Sequence, residues 1–479
     1  MLDIRNFLYN NLGVLFPIIS TLLSVPIFLE LFGQDRYGVL IIFWLITGYL
    51  GIFDLGLGSA VTILLSRVSA SRAVIKQKYI QAGILISFCI GLLSTVVLML
   101  SINQTTVEVI GIPLELYSEF RYSIFLLLII VPLSTMGSIL CGAHAAKENF
   151  KIINLSNIML TVFYQWMPII ACTIYPPSIS TIIFSATIAK IIQFCFLLKG
   201  INNLSFQLWK IRPNVREVKV LLGIGGWLSI SKICAPLISA ADRYVISGTL
   251  GVALVASYNL PYQIAEKIAL FATTITTLIV PKLSKKEGAY KVRVSVISQY
   301  IMAWLSISSN FVGCLLIYPF LNYWVGEHVQ INFGIVPSFL ILGFSMNILA
   351  YVPFTHMQTN GRGKVAALIH LLELPVYIVF SIVFTVKFGI IGMAIIFVVR
   401  ILVDTLLMCF YSRVAIDRIA TLYLPIICNI IIFSFTSLDL PIFYEYASIF
   451  LIVMYSIFLC KRTFFTLAHN SRLTHIKNR

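Results

Sequence analysis

Apolar runs of about twenty residues, parted by short polar breaks, follow one another along nearly the whole chain. About twenty apolar residues in an α-helix span the ~30 Å hydrocarbon core of a bilayer, so each run predicts a transmembrane helix. The windows number about fourteen, with twelve as the alternative, and centre near residues 22, 51, 90, 132, 164, 189, 230, 268, 308, 345, 376, 400, 429 and 453. No polar segment between them is large enough for a separate soluble domain. The fold class this predicts is an all-α polytopic membrane protein.

Composition agrees with the pattern. Of 479 residues, 59% are hydrophobic and 11% charged, and the mean hydropathy is +0.97; soluble domains carry roughly a quarter charged residues. Arg5 followed by an apolar run resembles a signal peptide, but the run continues to about Leu31 without a small-residue cleavage pattern, which predicts an uncleaved first span. The nine cysteines lie in or at the ends of spans with no CxxC pair, and read as packing residues.

A net charge of +16, from 34 Lys and Arg against 18 Asp and Glu, would suggest nucleic acid in a soluble protein. Here it reports topology. With a cytoplasmic N-terminus, the loops at 66–79, 144–152, 199–219, 281–294, 357–364 and 412–420 and the tail from Lys461 share one side with Arg5 and hold 26 of the 34 basic residues. The other side is acidic, with Glu108, Glu115, Glu119, Glu327, Asp439 and Glu445. The positive-inside rule then sets both termini in the cytoplasm, and the basic loops are secondarily suited to anionic lipid headgroups.

Traces of a repeat divide the chain. Phe32-Gly33-Gln34-Asp35-Arg36-Tyr37 between spans 1 and 2 has a counterpart in Gly248-Thr249-Leu250-Gly251 leading to Tyr258, and Gly142-Ala143-His144-Ala145-Ala146-Lys147 has one in Gln358-Thr359-Asn360-Gly361-Arg362. The offset of roughly 215 residues predicts two six-helix bundles of the same topology around a central cavity, over 1–205 and 206–418, with an extra helix pair and basic tail over 419–479.

Ionisable groups in hydrocarbon cost ~2.5–3.5 kcal/mol on insertion scales, so each needs a partner, a water-filled cavity or a function. The spans hold Asp54, Lys190, Lys232, Glu266, Lys267, Glu373, Arg400 and Asp404, with Asp242 and Arg243 near the outer end of span 7. Arg400 and Asp404, spaced i, i+4, are expected to neutralise each other on one helix face. Glu266 and Lys267 are adjacent and so expected on different faces. Lys232 and Lys267 fit either a cavity-lining cation or a snorkelling or interhelical pair. Asp54, flanked by glycines, is the candidate for an acid that couples ion movement to helix rearrangement. The six histidines show no metal-ligand spacing, and the sequon Asn103-Gln104-Thr105 matters only in a secretory context. The sequence has no GxxxxGK[ST] loop, GxSxG elbow or HExxH helix.

Several of these segments resemble a known family. Phe32-Gly33-Gln34-Asp35-Arg36-Tyr37-Gly38 through Tyr49-Leu50-Gly51-Ile52-Phe53-Asp54-Leu55-Gly56-Leu57-Gly58, then Asp242-Arg243-Tyr244-Val245-Ile246, Pro281-Lys282-Leu283, Trp324-Val325-Gly326, Asn360-Gly361-Arg362 and Gly389-Ile390-Ile391-Gly392, in that order over about residues 5–415, are similar to the O-antigen flippases. These form part of the polysaccharide-transporter branch of the multidrug/oligosaccharidyl-lipid/polysaccharide exporter superfamily. The resemblance implies an inner-membrane protein that flips undecaprenyl-pyrophosphate-linked oligosaccharide units from the cytoplasmic to the periplasmic leaflet. It implies alternating access coupled to a proton or sodium gradient, with no bound cofactor, and a polysaccharide polymerase and chain-length regulator as partners. The family's cavity positions match Asp54, Lys232, Asp242, Arg243, Glu266 and Lys267 here. A drug/cation antiporter of the same superfamily is the rival transporter, against which the basic excess in spans 6 to 8 favours an anionic substrate. A membrane polymerase or ligase is the enzymatic rival; it would need a large periplasmic loop, whereas the longest here, about 102–120, is short and acidic.

Overall fold

The computed structural model describes residues 4–49, 56–68, 73–101, 108–200, 215–273, 275–276, 289–325, 333–359, 362–412, 419–437 and 454–455, and every regular element among them is helical. Helices fall on the predicted windows, apart from residues 50–55 at the centre of the second and all but Met454 and Tyr455 of the last, which lie outside the described residues. Seven described helices are long and apolar enough to cross a bilayer. The chain is an all-α, multi-pass membrane protein.

Helix α1 (Ile4–Tyr49) shows how the windows are joined. Its 46 residues would run about 69 Å as one helix, far more than a bilayer needs. It breaks at Gly33, where φ 72 and ψ 175 suit a residue without a Cβ. The arms fold back on each other: the Phe28 and Trp44 rings are 5.8 Å apart, whereas a straight helix would separate these residues by ~24 Å. Spans 1 and 2 are therefore a hairpin.

Contacts divide the chain into two compact units, Met1–Ala256 and Ser257–Arg479. The first contains α1, α2 (Leu57–Arg67), α3 (Ala73–Ser101), the short α4 (Tyr117–Ile124), α5 (Leu127–Ala146), α6 (Phe150–Ala171), α7 (Ile179–Gly200), α8 (Val215–Leu250) and the start of α9 (Ala253–Glu266). Helix α8, which the repeat assigns to the second bundle, packs on α1, α2 and α3. The contact boundary thus falls one helix later than the repeat boundary at 205.

Small residues let helices in this unit approach closely. A Cβ on Gly142 of α5 would stand 2.2 Å from the Gly58 carbonyl of α2. Thr62 Oγ1 donates to both the Gly58 and Gly142 carbonyls, at 3.0 and 3.1 Å. Around that contact Leu57, Ala60, Val61, Ile80, Ile139, Leu140 and Ala143 form a fully buried core. Polar side chains join α1 to α6, with Ser24 Oγ donating to Gln165 Oε1 at 2.7 Å and Trp166 Nε1 to Ser20 Oγ at 3.0 Å. The start of α9 is tied down by the Val252 N–H, which donates to the Gly111 carbonyl at 3.2 Å.

The second unit holds the rest of α9, then α10 (Ala289–Val325), α11 (Val336–Asn347), α12 (Tyr351–Thr359), α13 (Gly363–Tyr411) and α14 (Leu424–Ser437). A 3-10 turn over Ile348–Ala350 joins α11 to α12. A buried polar network ties α10, α11 and α14: Asn429 Nδ2 donates to Ser306 Oγ at 2.8 Å, Ser306 Oγ to the Ser345 carbonyl at 2.6 Å, and Asn310 Nδ2 to the Asn429 carbonyl at 2.9 Å. At 49 residues α13 is again two helices, broken at Gly389 (φ 62, ψ −150). Only 28% of the apolar stretch of α3 and 33% of that of α13 is buried inside the protein, which leaves their remaining apolar faces to lipid.

Candidate functional site

The densest group of charges in the described spans lies between the two arms of α13. His370 and Glu373, at i and i+3, share a face of the first arm; Arg400 and Asp404, at i and i+4, share a face of the second. Because the chain doubles back near Gly389, these faces meet. Arg400 Nη1 lies 3.3 Å from Glu373 Oε1, and His370 Nδ1 lies 3.4 Å from Glu373 Oε2 and 3.7 Å from Asp404 Oδ1. Nearer the turn Thr385 Oγ1 contacts Met393 Sδ at 3.5 Å, as antiparallel arms require.

Arg400 is held from several sides. Its guanidinium carbon sits 5.1 Å from the Tyr377 ring centre and 5.5 Å from that of Phe397. Phe397 belongs to an aromatic wall with Phe344 and Tyr262, whose centroids lie 5.3 and 5.9 Å from it. This geometry corrects the expectation of an Arg400–Asp404 pair along one helix. No Arg400–Asp404 contact within 4 Å forms, because the guanidinium reaches across the hairpin, where a carboxylate and two ring faces match its planar charge together. Asp404 is left with its Oδ1 buried and without a hydrogen bond. His370, Glu373 and Asp404 offer ligand atoms within 4.8 Å of one another. The guanidinium beside them fixes a positive charge there that opposes a divalent cation.

The other predicted residues are distributed differently. Asp242 and Arg243, in α8, form a buried pair at 2.8 Å, and Arg243 Nη1 also donates to the Ser239 carbonyl at 2.6 Å. Lys267 Nζ lies 3.5 Å from Glu266 Oε2, which corrects the expectation that they serve different faces. Helix α9 ends at Glu266, and Lys267 and Ile268 continue in i to i−3 turns, so the helical angle between adjacent side chains no longer applies. Lys190, in α7, is half-buried and donates to Gln193 Oε1 at 3.0 Å, with no acid within salt-bridge distance among the described residues. Asp54 lies outside the described residues, as do residues 281–288, Asn360, Gly361 and the tail from Lys461. Lys232 lies within α8, but its side chain is also outside them.

Lys190, Asp242 and Arg243 thus belong to the first unit, and Glu266, Lys267 and Arg400 to the second. Sequence reasoning missed His370 as a functional candidate and left Glu373 as an isolated span charge. The usable signal was the pair of intramembrane spacings, 370/373 and 400/404, on either side of a glycine turn at 389.

Comparisons with known proteins agree with this architecture. No family model matches the sequence. The chain is 26% identical over 411 residues to the "Putative O-antigen transporter" of Shigella flexneri, covering 85% of this chain and 96% of that protein. Its fold is similar to an inward-facing multidrug resistance MATE transporter of the MOP superfamily, with a TM-score of 0.70 and 14% identity over 84% of this chain and 97% of the other. It is equally similar to the lipid II flippase MurJ in an inward closed conformation, with a TM-score of 0.70 and 17% identity over 96% of this chain and 100% of that one. The chain is a multi-pass membrane protein with the fold that these two solved structures share. The sequence likeness to the Shigella O-antigen transporter is in line with the resemblance carried by the segments from Phe32 to Gly392.

Proposed function

We propose that the protein flips undecaprenyl-pyrophosphate-linked oligosaccharide units from the cytoplasmic to the periplasmic leaflet of the bacterial inner membrane, by ion-coupled alternating access with both termini cytoplasmic. The observation that carries this reading is Lys190. Arg243, Lys267 and Arg400 each have a carboxylate within 3.5 Å, whereas Lys190 has Gln193 alone among the described residues. A cation at membrane depth that lacks an acid is suited to an anion that must leave water, and a pyrophosphate is such an anion. The sugar needs a hydrated path across the membrane, while the polyprenyl tail can stay in lipid.

The likeness to the Shigella O-antigen transporter supports this substrate class. The fold favours neither this reading nor drug efflux, since the MATE transporter and MurJ give the same TM-score of 0.70. Deletion of the gene separates the two. The flippase reading predicts lipid-linked repeat units accumulating at the cytoplasmic face and loss of surface polysaccharide. Intact surface polysaccharide with new sensitivity to cationic drugs would replace it with the antiporter.

A further inference from the structure

We propose that the His370–Asp404 pair, set against the Glu373–Arg400 ion pair between the arms of α13, is a binding site for one proton. With His370 neutral, Arg400, Glu373 and Asp404 sum to one net negative charge; with one proton added, the four side chains sum to zero. A net charge surrounded by hydrocarbon and aromatic rings is costly, so the group has a place for one proton and not for two. Which atom carries it is a property of the coupled pair.

The geometry supplies the acceptors. Asp404 is 8% exposed, and its Oδ1 has no hydrogen-bond donor although it points to His370 Nδ1 at 3.7 Å. That gap exceeds a hydrogen bond by about half an ångström, and a proton on either partner would close it. Arg400 does not fill the vacancy: its Nη1 reaches Glu373, its guanidinium is held by the Tyr377 and Phe397 rings, and its buried Nε makes no hydrogen bond.

Among the described residues, no charged group other than Glu373 and Arg400 joins the pair within salt-bridge distance. Helix α11 contributes no titratable side chain, α12 contributes Tyr351 and His356 with the Phe354 ring 6.2 Å from His370, and α9 contributes Tyr262 through the aromatic wall. The pair lies about 10 Å along the helices from the end of the hairpin opposite the Gly389 turn, seven residues in from Gly363 on one arm and from Tyr411 on the other.

If the protein transports as proposed, this proton is the coupling ion, taken up on one side and released on the other as the arms rearrange. That extension rests on the transport reading; the proton site itself does not. The test therefore uses purified full-length protein without substrate. Nitrogen NMR of histidine-labelled protein follows the His370 ring through a pH titration, with its signal assigned by loss in H370Q.

The expected result is that His370 titrates in the wild type, and that D404N weakens its proton binding tenfold or more. A histidine merely exposed at a helix surface would ignore that substitution. Should D404N fail to fold, E373Q removes the other acid and is expected to act in the same direction. A His370 ring that does not titrate between about pH 4 and pH 9, or one whose titration is unchanged in the folded variant, overturns the proposal. Either negative result leaves the flippase reading standing, and an inactive transporter with a titrating His370 leaves the proton site standing.

Discussion

At the scale of single side chains, a cation matters to an anionic substrate only where no carboxylate already holds it. Sequence alone offered Lys190, Lys232, Arg243, Lys267 and Arg400 as span cations and paired only Arg400, with Asp404; the structure separates Lys190, Arg243, Lys267 and Arg400 by partner. Neither the Asp242–Arg243 nor the Glu266–Lys267 contact was legible, since adjacent positions on a continuous helix are expected on different faces and the contacts depend on how the side chains fold over. His370 was overlooked for a related reason: a lone histidine acquires meaning only from residues on another arm of the fold. The prediction at this scale is that Lys190→Ala reaches the membrane in normal amounts but exports surface polysaccharide about tenfold more slowly. That corresponds to losing roughly 1.4 kcal/mol of a charge-assisted contact to a phosphate oxygen. Export at the wild-type rate would remove Lys190 from the substrate path.

Elements were the most legible level, because twenty apolar residues are an unambiguous signal and hydrocarbon enforces the helix. What hydropathy windows do not contain is pairing. Gly33 and Gly389 mark where α1 and α13 fold back, and only the folded hairpin shows that Glu373 meets Arg400. Glycines also set helix spacing, and two on α5 make a controlled comparison. A Cβ at Gly142 would meet the Gly58 carbonyl at 2.2 Å, while one at Gly137 would meet nothing within 4 Å. Gly142→Ala is therefore expected to destabilise the purified protein by about 1–3 kcal/mol through overpacking, and Gly137→Ala to be neutral or slightly stabilising. Thermal unfolding in detergent distinguishes them; equal melting temperatures would show that α2 and α5 do not approach as closely as described.

For the whole molecule, the charge bias between loops predicts orientation independently of any helix contact. Reporter fusions at Lys76, Arg212, Lys286 and Arg362 should report cytoplasm, and those at Glu115, Glu327 and Asp439 periplasm. A periplasmic Lys286 would place five basic residues of its loop on the wrong side and overturn the map. Contact packing sets α8 with the first unit, which an internal sequence match has no means of revealing. The central claim is movement of a lipid-linked sugar between leaflets, and the direct measurement is in liposomes that contain purified protein and undecaprenyl-pyrophosphate-linked oligosaccharide. An external glycosidase cleaves only outer-leaflet sugar. The account predicts that the protein makes the inner-leaflet pool cleavable, faster under an imposed proton gradient and about tenfold more slowly with Lys190→Ala. Cleavage that stops at the outer-leaflet fraction, as in protein-free liposomes, would contradict it.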